Sequence, residues 1–306
     1  MSRGIFFKEI LMRRRHKQIL TAYVFLALPL VFFIVVRFYP MIYAFWLSFT
    51  NWRLISPRKD FVGLSNYFTL FQDRVFVISL QNTVKYIAYG VPLVIAFSLF
   101  LAVTLNRVRH LQWFYRLLYV MPYITPLVAV SWVWRWIYQC PPAGILNNLL
   151  MYFGFGSQRF LSSMDQALPS IVITTVWVNL GYCVIIFLAG LQTIPQEFIE
   201  AARIDGASRR QIFFRVTLPL LNPVLVFLVI MQSITFLRIF TQVYNMTDQG
   251  SGGPLNATKP LVLYIYQKAF TSFDMGLAAS ATVVLFAIIL SITLFQLLIL
   301  SRRVQY

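Results

Sequence analysis

Six stretches of this chain run without a single charged side chain, at residues 19–36, 86–106, 117–134, 168–191, 216–237 and 275–301. A hydrocarbon core of about 30 Å is crossed by about 20 apolar residues in a helix. Inside lipid every backbone N–H and C=O must be bonded within the protein, which leaves helices as the form such runs can take. The expected fold is therefore an all-α integral membrane protein with six transmembrane helices. Composition agrees: 59% of residues are hydrophobic and only 11% charged, where soluble domains carry about 25% charge. Apolar sequence resumes after Arg37 and continues to Phe49 with no turn, so the first run reads as one long, tilted helix. The charged amino-terminal stretch is too long for an ordinary signal peptide, and the segment is expected to be retained.

The net charge of +17 would suggest nucleic acid on a soluble protein, but the placement of the charges points to the membrane and to no nucleic acid. With six spans both termini share a side. That side would carry 15 Lys and Arg, and the other seven on longer loops. The positive-inside rule then makes both termini cytoplasmic. The expected organisation is a basic segment at 1–18, a six-span domain at 19–302 with a cytoplasmic loop at 191–217, and a tail at 303–306. Arg37, Lys85, Arg135 and Arg238 fall near the outer ends of their spans, where snorkelling explains them; Arg238 is the best candidate for something more.

Most catalytic classes find no support. Cys140 and Cys183 have no CxxC spacing, and His16 and His110 lie in basic stretches away from any metal-ligand pattern. No Lys follows a Gly, so a Walker phosphate loop is absent. No Asp, Glu or His falls inside a run, which disfavours an intramembrane enzyme and a carrier coupled to ions at midspan.

The loops carry their own signals. Phe61-Val-Gly-Leu-Ser-Asn-Tyr67 reads as a short ordered interfacial segment, residues 144–150 as an amphipathic helix, and Gly250-Ser-Gly-Gly-Pro254 as a flexible turn. In the 191–217 loop, Thr193-Ile-Pro-Gln196 has the form of a capping box, Gly206 of a helix stop, and Ser208-Arg-Arg-Gln211 of a second capping box. The first helix would expose charge at Glu197, Glu200, Arg203 and Asp205, with Phe198, Ala201, Ala202 and Ile204 as smooth surface for another protein to grip.

Glu200-Ala201-Ala202, Asp205-Gly206 and, nine residues on, Val216-x-Leu218-Pro219 resemble the EAA loop of binding-protein-dependent ABC importer permeases, with Val216 where Ile is usual. Tyr39-Pro40, Ser48-Phe49-Thr50, Val62-Gly63-Leu64-Ser65-Asn66-Tyr67, Asn82-Thr83 and Gly252-Gly253-Pro254 resemble the carbohydrate-uptake branch, maltose-type and glycerol-phosphate-type. The chain looks like the pair member without the large extra outer domain. The resemblance implies a type I importer permease fold and a non-catalytic subunit in a bacterial or archaeal inner membrane. Its implied partners are a second homologous permease, two cytoplasmic ATPase subunits, an external binding protein and membrane lipid. ATP and Mg would be bound by the ATPases and no cofactor by this chain. The implied solute is sugar-like: an oligosaccharide, a glycosylated polyol or glycerol phosphate. Contacts to the ATPase would fall on Glu200, Ala201, Ala202, Arg203, Asp205 and Gly206.

A solute with hydroxyls needs polar partners along its route. Thr175, Asn179 and Tyr182 are spaced i, i+4, i+7 on the fourth run, and Gln232, Phe236 and Ile239 likewise on the fifth, with Ser233 and Arg238 beside them. Interhelical hydrogen bonding is the competing explanation. In the maltose-type relatives, positions matching Asn179, Tyr182, Gln232 and Phe236 lie at or near the solute, which the resemblance extends to this chain. The rival class is a secondary carrier or channel working without an ATPase.

Overall fold

The computed structural model describes residues 18–19, 21–56, 58–108 and 112–300. The expected basic segment at 1–18 (apart from its last residue), His110 and the tail at 303–306 lie outside the described residues, and with them the charge counts at the termini. Among the described residues the chain is helical, and the extended pairings are two isolated bridges, Thr50 with Phe61 and Arg53 with Asp274.

Four of the six runs form long apolar helices: α1 (Thr21–Leu47), α3 (Arg74–Arg107), α7 (Ala167–Gln192) and α13 (Met275–Leu300). Before α3 lies the short α2 (Ser65–Gln72). The single long first helix matches the reading of an unbroken run through Arg37. At 34 residues, α3 is about 51 Å long, so it projects well beyond its apolar run.

The third and fifth runs are not straight spans, which corrects the sequence reading of continuous helices there. In the third, α4 (Gln112–Ile124) and α5 (Leu127–Ile137) meet at 94°. Pro126 lacks an N–H and drives the residue before it out of helical geometry. Thr125 closes α4 by donating from both its amide and its hydroxyl to Met121 O. In the fifth, the helical stretch Arg209–Leu220 (α9) and the helix Asn222–Leu237 (α10) bend by 68°, where Pro219 and Pro223 together remove two donors from the ladder. Shorter helices complete the fold: α6 (Ile145–Tyr152), α8 (Gln196–Ile204), α11 (Thr241–Met246) and α12 (Leu261–Phe270). α6 forms where residues 144–150 read as amphipathic, and its buried Asn147 clasps the loop by donating to Gln139 O and Gln158 O while accepting from Gln158 N.

α7 is the central post. It packs against α3, α4 and α10, and the main core includes Tyr86, Val94, Val184, Phe187, Leu228 and Phe236. A second core joins Leu70, Phe76, Leu261, Tyr264, Ala281 and Leu285 from α2, α3, α12 and α13. A Cβ on Gly181 would stand 1.8 Å from Tyr119 O, so α4 approaches α7 backbone to backbone.

The loops opposite α8 are stapled to the helices. Asn66 Nδ2 donates to Ser48 O and Thr50 O, and Tyr67 Oη to Ser48 Oγ. Asn82 Nδ2 reaches Asn256 O and Lys259 O, Tyr86 Oη reaches Thr258 O, and Thr83 Oγ1 accepts from Leu261 N. The Gly250–Pro254 stretch, read as a flexible turn, is thereby held: Gly252 N donates to Thr247 Oγ1 and Thr258 N to Gly252 O. Arg135 does more than snorkel. It pairs with Asp248, and its face lies 5.1 Å from the Trp132 ring centroid.

Candidate functional site

The loop after α7 begins with a correction. No capping box forms between Thr193 and Gln196: Thr193 Oγ1 donates instead to Gly190 O at 2.8 Å, closing α7. α8 starts behind Pro195, whose extended backbone (φ −60°, ψ 132°) supplies the entry, and Glu197 sits in the first turn where the helix dipole favours an anion. It ends in a Schellman motif. Gly206 adopts φ +80°, Gly206 N donates to Arg203 O and Ala207 N to Ala202 O, each at 3.0 Å. The second capping box is present, with Ser208 N bonded to Gln211 Oε1 at 2.8 Å and Gln211 N to Ser208 Oγ at 3.4 Å.

These caps bound α8 as a short rod, seated on the helical body through Ile199. Glu200, Ala201, Arg203, Asp205 and Gly206 are exposed and Ala202 is half-buried. Ile204 is 87% exposed and Phe198 46%, so α8 displays two apolar side chains among its charged ones.

The residues expected along a route through the membrane fall into different environments. On α7, Thr175 Oγ1 donates to Ile171 O and Asn179 Nδ2 to Thr175 O, both at 2.8 Å, so the Thr175 hydroxyl proton is spent on its own helix while Asn179 Nδ2 retains a second N–H. Tyr182 is half-buried and stacks on Tyr123 of α4, ring centroids 5.3 Å apart. On α10, Gln232 is 1% exposed and its Oε1 has no hydrogen-bond partner. It lies beside Cys183, which Ser98 also approaches. Ser233 Oγ accepts from Gln296 Nε2 of α13 at 2.8 Å while donating to Val229 O. Phe236 is fully buried against Gly90 of α3, where a Cβ would come within 2.2 Å of the ring. Arg238 caps the end of α10, exposed. α7 and α10 touch, and Gln232 Oε1 is a buried acceptor there with its bonding capacity unused. Tyr123 and Gln296 were missed in the sequence; Gln296 is a lone amide in the last apolar run, a signal of the same kind as Gln232.

This is a helical bundle with several apolar spans and a capped, exposed helix on one face, the architecture of a membrane transport component. Residues 94–306 match the family described as binding-protein-dependent transport system inner membrane component, and the chain belongs to that family. It is 37% identical over 298 residues to the probable ABC transporter permease protein YesP of Bacillus subtilis, covering 96% of this chain and 94% of the relative. It is 31% identical over 282 residues to the sn-glycerol-3-phosphate transport system permease protein UgpA of Yersinia pestis, covering 92% of each. Its fold is similar to that of a chain in the crystal structure of a bacterial ABC transporter involved in the import of the acidic polysaccharide alginate. The TM-score is 0.81 at 22% identity, over 96% of this chain and 99% of that one.

Proposed function

We propose that this chain is the permease subunit through which an ATP-driven importer takes up a sugar or sugar-like solute, with α8 as the element that receives motion from an ATPase. The observation that carries this reading is the α8 rod: a Schellman-capped helix displaying Phe198 and Ile204 on the loop that joins α7 to the α9–α10 pair. Family membership and relatives named for glycerol-phosphate transport support the solute class. The chain does no hydrolysis; ATP and Mg are bound by two ATPase subunits seated on α8 and its counterpart in a second homologous permease. An external binding protein delivers the solute to the face bearing the stapled loops, and both termini are cytoplasmic. A displacement of α8 is passed through the Thr193–Gly190 closure to α7 and through the bent α9–α10 pair to Gln232. Gln232, Asn179 and Tyr182 meet the solute, with Ser233, Phe236, Thr175 and Arg238 around them.

The test is reconstitution. Purified from its native membrane, the permease should bring an ATPase with it, and vesicles holding the assembly should accumulate a labelled sugar or glycerol phosphate only with ATP and binding protein. Uptake by the permease alone would instead identify a carrier. Reporter fusions at residues 60 and 260 should read external and those at 110 and the carboxyl tail cytoplasmic.

A further inference from the structure

Behind α8 a cavity of about 370 Å³ opens between the end of α3, α8 and the start of α9, and Arg107, Arg203 and Arg209 all border it. No Asp or Glu lines it, and among the described residues no carboxylate lies within 4.0 Å of any of the three guanidinium groups. The carbonyls ending α3 favour a cation at Arg107 and those ending α8 one at Arg203, but Arg209 opens α9, where the helix dipole disfavours a cation. Three cations around one hollow repel one another, and the arrangement is relieved by an anion from outside the chain. Arg107 directly follows the uncharged run 86–106, which sets the cavity at headgroup depth. Asn106 and Thr217 add neutral polar groups, and Val103 and Leu191 supply an apolar wall. The guanidinium fork matches phosphate oxygens two at a time, and basic pockets between spans on the cytoplasmic side suit acidic headgroups.

We infer that this cavity binds a phosphate-bearing anion, supplied by an acidic phospholipid headgroup or by a soluble phosphate. One such group would bridge Arg107 on α3 to Arg203 on α8 and Arg209 on α9, tying α8 to the helix whose Gly90 packs against Phe236. Seating of α8 then depends on an anion at its back as well as on the partner at its front. The inference rests on the proposed function only for the side of the membrane on which α8 lies.

The experiment uses the assembled transporter in lipid nanodiscs of phosphatidylcholine alone, of phosphatidylcholine with phosphatidylglycerol, and of phosphatidylcholine with added inorganic phosphate. Native mass spectrometry reads the bound anion and the ATPase subunits together. Phosphatidylglycerol should be retained, and Arg107→Gln/Arg209→Gln should weaken retention about fivefold per arginine, roughly 25-fold in all. Arg107→Lys/Arg209→Lys should keep most of it and guards against a Gln variant that does not fold. Arg210→Gln, outside the cavity, should change nothing. Binding of inorganic phosphate with no lipid preference identifies the soluble source. Equal retention of both lipids with no phosphate bound overturns the inference, as does an Arg210→Gln effect matching the double variant. ATPase copurification distinguishes the two readings: its loss with the anion retained counts against the docking role of α8 and leaves the anion site standing.

Discussion

The Asn82 side-chain amide donates to Asn256 O at 2.9 Å and Lys259 O at 3.2 Å, across more than 170 positions of sequence. One residue on α3 therefore satisfies two carbonyls of the glycine-rich loop, and its buried position (2% exposed) denies them water as a substitute. Asn82→Leu should cost about 1–3 kcal/mol, the penalty for orphaned buried acceptors, seen as a lower melting temperature of the assembly and faster proteolysis within 247–260. Unchanged melting and proteolysis would show that the loop is held by Tyr86 and Thr83 alone.

Acidification should loosen the same face through Asp73. Burial raises its pKa, but bonds from Tyr264, Lys268 and Val75 N more than offset this and hold the carboxyl below its usual range. Because the folded value is depressed, the stabilisation is full above the unfolded value near 3.9 and is lost as pH falls through the folded one. Asp73→Asn keeps a side-chain cap for Val75 N but removes the pair with Lys268, 3.1 Å away. It should cost about 1 kcal/mol at neutral pH and flatten the acid limb of stability. A variant whose acid limb matches the parent would refute the assignment.

The geometry of α8 makes the coupling variants specific. Gly206 needs φ +80°, which proline cannot adopt and alanine adopts at a cost of about 1–2 kcal/mol. Gly206→Pro and Ala202→Asp should insert normally and lose transport together with ATPase copurification. Gly206→Ala should retain part of both, since nothing lies within 4 Å of the added Cβ. Normal transport in Gly206→Pro would remove α8 from the mechanism.

Gln232 and Phe236 should separate by phenotype although they lie one turn apart. Gln232→Leu removes a buried oxygen that has no partner, so stability should hold or rise while apparent solute affinity falls about five- to thirtyfold, equivalent to about 1–2 kcal/mol. Asn179→Leu should show the same fall in affinity. Gly90→Ala forces a methyl into the Phe236 ring and should lower stability by about 1–3 kcal/mol with solute selectivity unchanged. Transport of several sugars and thermal stability, measured on each variant, decide between route and packing. Loss of stability with normal affinity in Gln232→Leu would falsify the route.

The membrane character of the chain is written locally. Lipid requires each span to bond its own backbone, so uncharged runs of sufficient length become helices whatever surrounds them, and the Ser208–Gln211 box and the Gly206 stop close within a few residues for the same reason. Pro126, Pro219 and Pro223 stand at the bends that the uncharged runs did not reveal, and the 94° and 68° angles depend on the packing around them. Which helix is central was not legible. The most apolar windows of α1, α3 and α7 have equal mean hydropathy yet are 0%, 28% and 67% buried, because lipid and protein interior are similarly apolar and hydropathy cannot tell them apart. Thr193 was a plausible cap until the end of α7 brought Gly190 O within reach. The pairing of Ser233 with Gln296, 63 positions apart, and of Asn82 with the distant loop exists only after the helices have packed. A hydrogen bond is decided by position in space, and that position is set by the whole bundle.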